Sequence, residues 1–154
     1  VDGASLGVLT LEEQGRHALE VWGDTGGGLH AAFKLGSRSL STVFAAGFVP
    51  GTDPVPWSYG VGLGVRVPLP EPFFADVDAL LLSQHAGAAD WSVVGMGNLL
   101  PTLHAVAGWR VFGRLAVTAG IDLDVYVPGL SRYPSGWNAG EVRLEPRFAI
   151  GLGF

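Results

Sequence analysis

Hydrophobic and polar residues alternate along most of this chain with a period of about two residues. From Arg114 to Val127, the odd-numbered positions are all apolar, whereas the even-numbered ones include Thr118, Asp122 and Asp124. Such alternation predicts a β-strand whose two faces meet different environments. No segment has a convincing helical pattern, and the alternation predicts eight strands, near residues 16–23, 28–36, 39–48, 57–68, 73–84, 100–111, 114–127 and 141–154.

The connections between these predicted strands differ in length. Consecutive antiparallel strands place alternate connections at opposite ends of the sheet. One end receives three tight turns, around Ser37, at 69–72 and at Phe112–Gly113. The other end receives one shorter connection and three long, turn-rich ones, at 24–27, 49–56, 85–98 and 128–140. Short turns on one rim and longer loops on the other are typical of outer-membrane β-barrels.

The predicted strands also separate charged from uncharged residues by face. The uncharged face is bulky, as at Tyr59, Val61 and Leu63, whereas the charged face is otherwise small, with Gly60 and Gly62 between them. An eight-stranded barrel has an interior just wide enough to be filled by side chains. We therefore expect a polar, plugged interior that holds six acidic and six basic residues: Glu20, Lys34, Arg66, Asp76, Asp78, Arg110, Arg114, Asp122, Asp124, Arg143, Glu145 and Arg147.

The alternative assignment is a soluble, calycin-like barrel that binds an apolar ligand, with the apolar face inside. Its surface would then carry Gly60, Gly62 and Gly64, and only a single lysine, Lys34. Glycines in an exposed strand are entropically costly, whereas an unpaired charge facing lipid costs about 2–4 kcal/mol at the membrane midplane. The face pattern therefore favours the membrane barrel.

The amino-acid composition further limits the class of protein to which this chain can belong. The chain has 154 residues, of which 48% are hydrophobic and 15% charged, and it has no cysteine. Its net charge is −5, and the sequence has no cluster of basic residues, which argues against a nucleic-acid partner. No window holds the roughly 18 consecutive apolar residues of a membrane helix. Because it begins at Val1 without Met or a signal peptide, we expect a processed or excised piece.

The last residues, RFAIGLGF, resemble the C-terminal recognition signal of bacterial outer-membrane proteins. In that pattern a polar residue precedes a small one, a hydrophobic one and a terminal aromatic. Arg147, Ala149, Leu152 and Phe154 fill these places, with Ala149 where glycine is usual. The resemblance implies an eight-stranded outer-membrane β-barrel of the OmpA/OmpX-like class, located in a bacterial outer membrane. Its implied partners are the lipid bilayer and the barrel-assembly machinery.

The beginning of the chain has a weaker resemblance. Residues 1–24 resemble the end of a bacterial surface-repeat array that leads into a C-terminal domain. We expect a leading segment at 1–15, with an extended piece at 5–11, followed by the barrel at 16–154. Pro146 lies within the last predicted strand and cannot donate a ladder hydrogen bond, so we expect a bulge or a gap in pairing there, or a closing seam that is looser than the rest.

Candidate chemistry is sparse. His17, His30, His85 and His104 show no metal-ligand spacing, so the sequence predicts no metal or cofactor, although His30 and His104 should point inward. The pairs Asp76–Asp78 and Asp122–Asp124 could offer oxygen ligands to calcium, but nearby arginines favour salt bridges instead.

The local cluster of Ser83, His85 and Asp90 leaves open a lipid-modifying outer-membrane enzyme, because such an enzyme needs these residue types within reach. The preferred interpretation is a non-enzymatic, monomeric, membrane-anchored module without an open pore. We also expect two belts of aromatic residues. One contains Phe73, Phe74 and Phe112, and the other contains Trp57, Tyr59, Trp91, Trp109, Tyr126, Tyr133 and Trp137.

Overall fold

The computed structural model describes residues 16–37, 39–85 and 97–154 of the chain. Each predicted strand is confirmed to within two residues. Among the described residues, no helix is long and apolar enough to cross a membrane. The strands are β1 (Arg16–Asp24), β2 (Leu29–Gly36), β3 (Leu40–Phe48), β4 (Trp57–Pro68), β5 (Phe73–His85), β6 (Leu99–Phe112), β7 (Leu115–Tyr126) and β8 (Arg143–Gly153).

Each strand pairs antiparallel with its neighbour in the chain, and β1 pairs with β8 to close the barrel. The closing ladder runs from Glu20 opposite Gly153 to Asp24 opposite Ala149. Beyond it, Leu19 and Phe154 exchange two backbone hydrogen bonds of 3.1 and 2.8 Å. The predicted all-β, eight-stranded, up-and-down barrel is therefore confirmed. The leading segment 1–15 lies outside the described residues.

The turn between β6 and β7 corrects the prediction for Arg114. The register between these strands shifts between Arg110 and Phe112, which leaves Val111 as an extra residue on β6. Gly113 takes a φ of +50°, a conformation that glycine adopts without steric cost. Arg114 therefore belongs to the turn and is exposed, rather than lying on the inward face of a strand.

Pro146 lies where β8 has no partner on its β1 side. The β7–β8 register is continuous through Leu123 opposite Pro146, so there is no bulge between these two strands. On the other side, β1 ends opposite Ala149. Thr25 continues the contact by donating its backbone N–H to Phe148 O at 2.9 Å and accepting Phe148 N–H on Oγ1 at 3.1 Å. The predicted gap in pairing at Pro146 is confirmed, and it lies at the closing seam.

The inward glycines allow close approach of the neighbouring strand. A Cβ added to Gly60 would collide with the backbone oxygen of Leu81, and one added to Gly62 with that of Ala79. Glycine inside a strand marks such tight places, especially at bends of a barrel wall. The backbone of β5 therefore leaves no room for a side chain at these two inward positions of β4, which is why this face has glycines between its polar residues.

Candidate functional site

The first charge cluster of the interior surrounds Lys34. Its Nζ lies 3.0 Å from Glu20 Oε2, 2.6 Å from Asp78 Oδ2 and 3.3 Å from Asp76 Oδ2. Arg66 binds the Asp76 carboxylate through Nε at 2.7 Å and Nη2 at 2.6 Å. Such charge-assisted contacts are the strong class of hydrogen bond. Four strands thus contribute side chains to one paired cluster in the lumen.

His104 lies beside this cluster and is fully buried. Its Nδ1 is hydrogen-bonded to Asp122 Oδ1, and Trp22 Nε1 donates to Asp122 Oδ2 at 2.9 Å. The Trp22 and His104 rings lie 4.4 Å apart. On its other side, His104 Nε2 lies 3.5 Å from Glu20 Oε1. Neither of these two buried atoms has a hydrogen-bond partner among the described residues.

A second cluster lies nearer the long loops. Asp24 Oδ1 accepts the backbone N–H groups of Gly26 and Gly28 at 2.7 and 3.1 Å, and Asp24 Oδ2 lies 2.7 Å from His30 Nε2. Arg147 Nη2 bridges Asp124 at 3.1 Å and Glu145 at 3.0 Å. Asp24 is an interior residue, although the sequence pattern placed it at the start of the connection at 24–27. Its even position on β1, after Glu20 and Trp22, is the signal that could have found it.

The two aspartate pairs that could have offered ligands to calcium, Asp76–Asp78 and Asp122–Asp124, have different partners in the structure. Asp76 and Asp78 bind Arg66 and Lys34, whereas Asp122 binds His104 and Trp22. The remaining carboxylate, of Asp124, accepts the Thr102 hydroxyl at 2.6 Å. Their separate partners support salt bridges over the calcium alternative.

Two further predicted interior arginines lie near the rims. The Arg110 guanidinium is 5.7 Å from the Phe74 ring centre and 3.8 Å from the exposed Glu71 carboxylate. The Arg143 guanidinium is 5.2 Å from the Trp137 ring centre. Both are partly exposed and, like Arg114, lie outside the two central clusters. The structure thus brings together the other nine members of the predicted set.

The interior also contains two cavities. One, of about 650 Å³, extends from the short-turn rim near Ser39 and Gly113 to Glu20 and Asp78. The other, of about 470 Å³, lies toward the long loops, with Leu80, Leu82 and Leu100 lining one part and Asp24, Asp122 and Asp124 another. The interior is therefore paired and narrow but not completely filled.

The outer wall is apolar. Among the outward-facing strand residues that the structure describes, none is Asp, Glu, Lys or Arg. Leu63, Phe148 and Ile150 are 61%, 70% and 69% exposed, respectively. The soluble calycin-like alternative required this set to face inward, and the structure places it outside. That alternative is therefore wrong about the faces of the barrel.

The aromatic residues depart from the two predicted belts. Trp109 is exposed beside Phe73 at the short-turn end, because β6 runs toward that rim. Phe74 and Tyr126 are buried inside, since the even-numbered positions of β5 and β7 face inward. Tyr133 and Trp137 pack on Tyr126 with ring centres 5.6 and 5.1 Å away. Trp57, Tyr59, Phe73 and Phe112 remain on the outer surface or at its rims, and Trp91 lies outside the described residues.

Ser83 and His85 form a polar pair at the long-loop end of β5. Ser83 Oγ lies 3.1 Å from His85 Nε2. Both residues are buried, although the odd-numbered positions of β5 face outward. The rings of Trp57 and Tyr59 stack on His85 with centres 4.1 and 5.3 Å away. Asp90, the third member of the predicted cluster, lies outside the described residues.

The four residues of the predicted assembly signal occupy both faces of the C-terminal segment. Arg147 and Ala149 point inward, whereas Leu152 and Phe154 are exposed. Ala149 is opposite Gly120 on one side and Asp24 on the other.

These features define the class of fold as a closed, eight-stranded, antiparallel β-barrel. Among solved structures, one from the de novo design of transmembrane β-barrels is similar, with a TM-score of 0.54. The two chains are 17% identical, and the match covers 90% of this chain and 91% of the designed one. At that identity the similarity concerns the fold alone. No family model and no curated protein matches the chain.

Proposed function

We propose that this chain is an integral β-barrel of a bacterial outer membrane. In this proposal it is a monomeric, non-enzymatic surface module without an open pore. The observation that carries the proposal is the distribution of charge, which is confined to the inward face and the rims of the described strands. An exposed apolar surface larger than a few hundred Å² marks an interaction site. An apolar wall that surrounds a paired polar lumen suits contact with lipid.

Loop lengths support an orientation within the membrane. The turns near Ser37, Pro70 and Gly113 are short, as are the periplasmic turns of outer-membrane barrels. The longer connections would then face the outside of the cell and supply the surface-exposed part. Arg147, Ala149, Leu152 and Phe154 would be read by the barrel-assembly machinery, as in the OmpA/OmpX-like class that this segment resembles.

The absence of an open pore rests on pairing across the lumen. Lys34 on β2 contacts Glu20 on β1 and Asp78 on β5, so its contacts span the interior. Water and ions would have to pass these tightly paired groups. An eight-stranded barrel leaves little room for a channel beside such side chains.

The proposal is tested by refolding the chain with and without detergent and then inserting it into phospholipid vesicles. We expect a soluble monomer only in detergent, and vesicles that retain a small trapped dye after insertion. A chain that stays monomeric in plain buffer and binds a fatty-acid probe would contradict the membrane proposal. Release of the dye from intact vesicles would contradict the closed lumen.

A second candidate function is a lipid-modifying outer-membrane enzyme, and the contact between Ser83 and His85 favours it. A serine hydroxyl within hydrogen-bond distance of a histidine is the core of an activated nucleophile. His85 would accept the Ser83 proton while Oγ attacks a lipid ester, and it would return that proton to the alcohol that leaves. Water would then hydrolyse the acyl-serine and release the fatty acid. Lipid hydrolysis that is lost in Ser83→Ala but retained in Ser41→Ala would support this function, and a wild-type protein without hydrolysis would exclude it.

A further inference from the structure

We infer that Glu20, Asp78 and His104 form a binding site for a divalent transition-metal cation inside the barrel. The three residues belong to β1, β5 and β6 and are all buried. One ligand atom from each, two carboxylate oxygens and an imidazole nitrogen, lies within 4.8 Å of the others. Nothing in their sequence spacing links them, because only the closed barrel brings β1 close to β5 and β6.

The two atoms without hydrogen bonds provide an independent reason for a ligand here. Glu20 Oε1 and His104 Nε2 are both buried without a hydrogen-bond partner among the described residues. Buried polar atoms in native proteins almost always have partners. The two atoms are 3.5 Å apart. Ligand atoms of a tetrahedral zinc ion with bonds of about 2.0–2.2 Å are separated by about 3.4 Å, so one ion would satisfy both atoms.

The surroundings of His104 prepare its Nε2 for a metal. An ionised carboxylate can only accept hydrogen bonds, so Asp122 Oδ1 requires the proton to be on His104 Nδ1. Once Nε2 has released any proton, as metal binding requires, its lone pair is directed toward Glu20 Oε1, 3.5 Å away. Trp22 Nε1 holds the other Asp122 oxygen at 2.9 Å. This chain of Trp22, Asp122 and His104 has the arrangement that orients metal-binding histidines in proteins.

The local charges also favour a divalent cation. Four carboxylates, of Glu20, Asp76, Asp78 and Asp122, face two fixed cations, Lys34 and Arg66, which leaves two negative charges before His104 is counted. Lys34 contacts Glu20 through Oε2, so Oε1 stays available. Glu20 and Asp78 line the 650 Å³ cavity, which gives an ion a route from the short-turn rim and space for a water ligand.

The ligand set discriminates between metals. One imidazole and two carboxylates suit zinc and its transition-metal neighbours. Calcium prefers about six to eight ligands that are all oxygens, whereas one of the three protein ligands of this site is an imidazole nitrogen. We therefore expect Zn²⁺ to bind and Ca²⁺ to bind much more weakly.

The test uses the full chain, refolded in detergent micelles, stripped with a chelator and titrated with ZnCl₂ in a calorimeter. We expect one Zn²⁺ per chain, and loss of binding in His104→Gln and Glu20→Gln. His17→Gln, at an exposed outward position, is the matched control and should bind like the wild type. Asp122→Asn should weaken binding by about 10- to 100-fold, because Asp122 acts by positioning His104.

Circular dichroism establishes that each variant is folded before titration. If His104→Gln does not fold, Co²⁺ replaces Zn²⁺ in the wild type, where the intense visible absorption of four-coordinate cobalt is expected. Undiminished Zn²⁺ affinity in folded His104→Gln or Glu20→Gln would overturn the inference, as would weak, octahedral-type cobalt absorption. Loss of binding in His30→Gln instead would also overturn it, since it would assign the ion to the cluster of Asp24, His30 and Asp122.

Discussion

The two faces of the barrel wall are made by alternate residues of the same strands, and they obey different rules. On β7, Ile121 points outward and is 45% exposed, whereas Asp122 points inward and is 4% exposed. The outer face is specified by composition alone, because its apolar side chains need no particular partner. The inner face is specified by pairing, because each buried charge needs a counter-charge or a hydrogen bond. Substitutions on the two faces should therefore fail for different reasons.

The largest effect is expected from Lys34→Met. This change keeps the volume but leaves Glu20, Asp76 and Asp78 without the cation that joins them. Removing one partner of a buried ion pair costs about 3–5 kcal/mol of unfolding free energy. Urea unfolding in detergent or vesicles measures this loss. Arg114→Met, in the exposed turn, serves as the control, and an equal loss there would contradict the distinction between paired interior charges and rim charges.

The next effect is expected on the outer face from Ile121→Arg, in the middle of β7. A charge facing lipid near the midplane costs about 2–4 kcal/mol. Thr118→Arg places the same side chain on the inward face of the same strand, beside the 650 Å³ cavity, and should insert more readily. Ile121→Leu is the conservative control. Membrane insertion of the three variants decides the matter, and equal tolerance of both arginines would reverse our assignment of the faces.

The smallest effect compares two buried threonines of the inner face. Thr102 Oγ1 donates to Asp124 at 2.6 Å, whereas Thr118 Oγ1 has no hydrogen-bond partner among the described residues. Thr102→Val should therefore cost about 1–3 kcal/mol of unfolding free energy, because Asp124 Oδ1 loses its hydrogen bond while Oδ2 keeps its contact with Arg147. Thr118→Val should be close to neutral. If the two variants lose equal stability in urea unfolding, polarity rather than pairing governs the interior.

Much of this fold could be predicted because side chains alternate strictly between the two faces of a regular strand. The period of two places Lys34, Asp78 and Asp122 on one face, and the glycines and single lysine of that face indicate that it is the inside. Arg114 could not be placed in this way, because the extra residue Val111 changes the count at the end of β6. Local irregularities of this kind depend on turn geometry, which the hydrophobic pattern does not contain.

The candidate metal site shows a different limit. Glu20, Asp78 and His104 could each be assigned to the inward face, but their meeting depends on register and on the diameter of the closed barrel. Adjacent strands place Asp78 opposite His104, whereas Glu20 comes from a strand that pairs with neither β5 nor β6. Contacts across a lumen leave no trace in sequence spacing, so residues that are far apart in the chain, such as Glu20 and His104, can share one site.

The short β1–β8 seam has a consequence for the rate at which the barrel forms. Seven of the strand pairs are hairpins between neighbours in the chain, but the seam joins Leu19 to Phe154, at opposite ends of the described fold. The entropy of closing so long a loop is lost before the contact returns any free energy. We therefore expect the hairpins to assemble first as an open, curved sheet, and the seam to close in the last and slowest step.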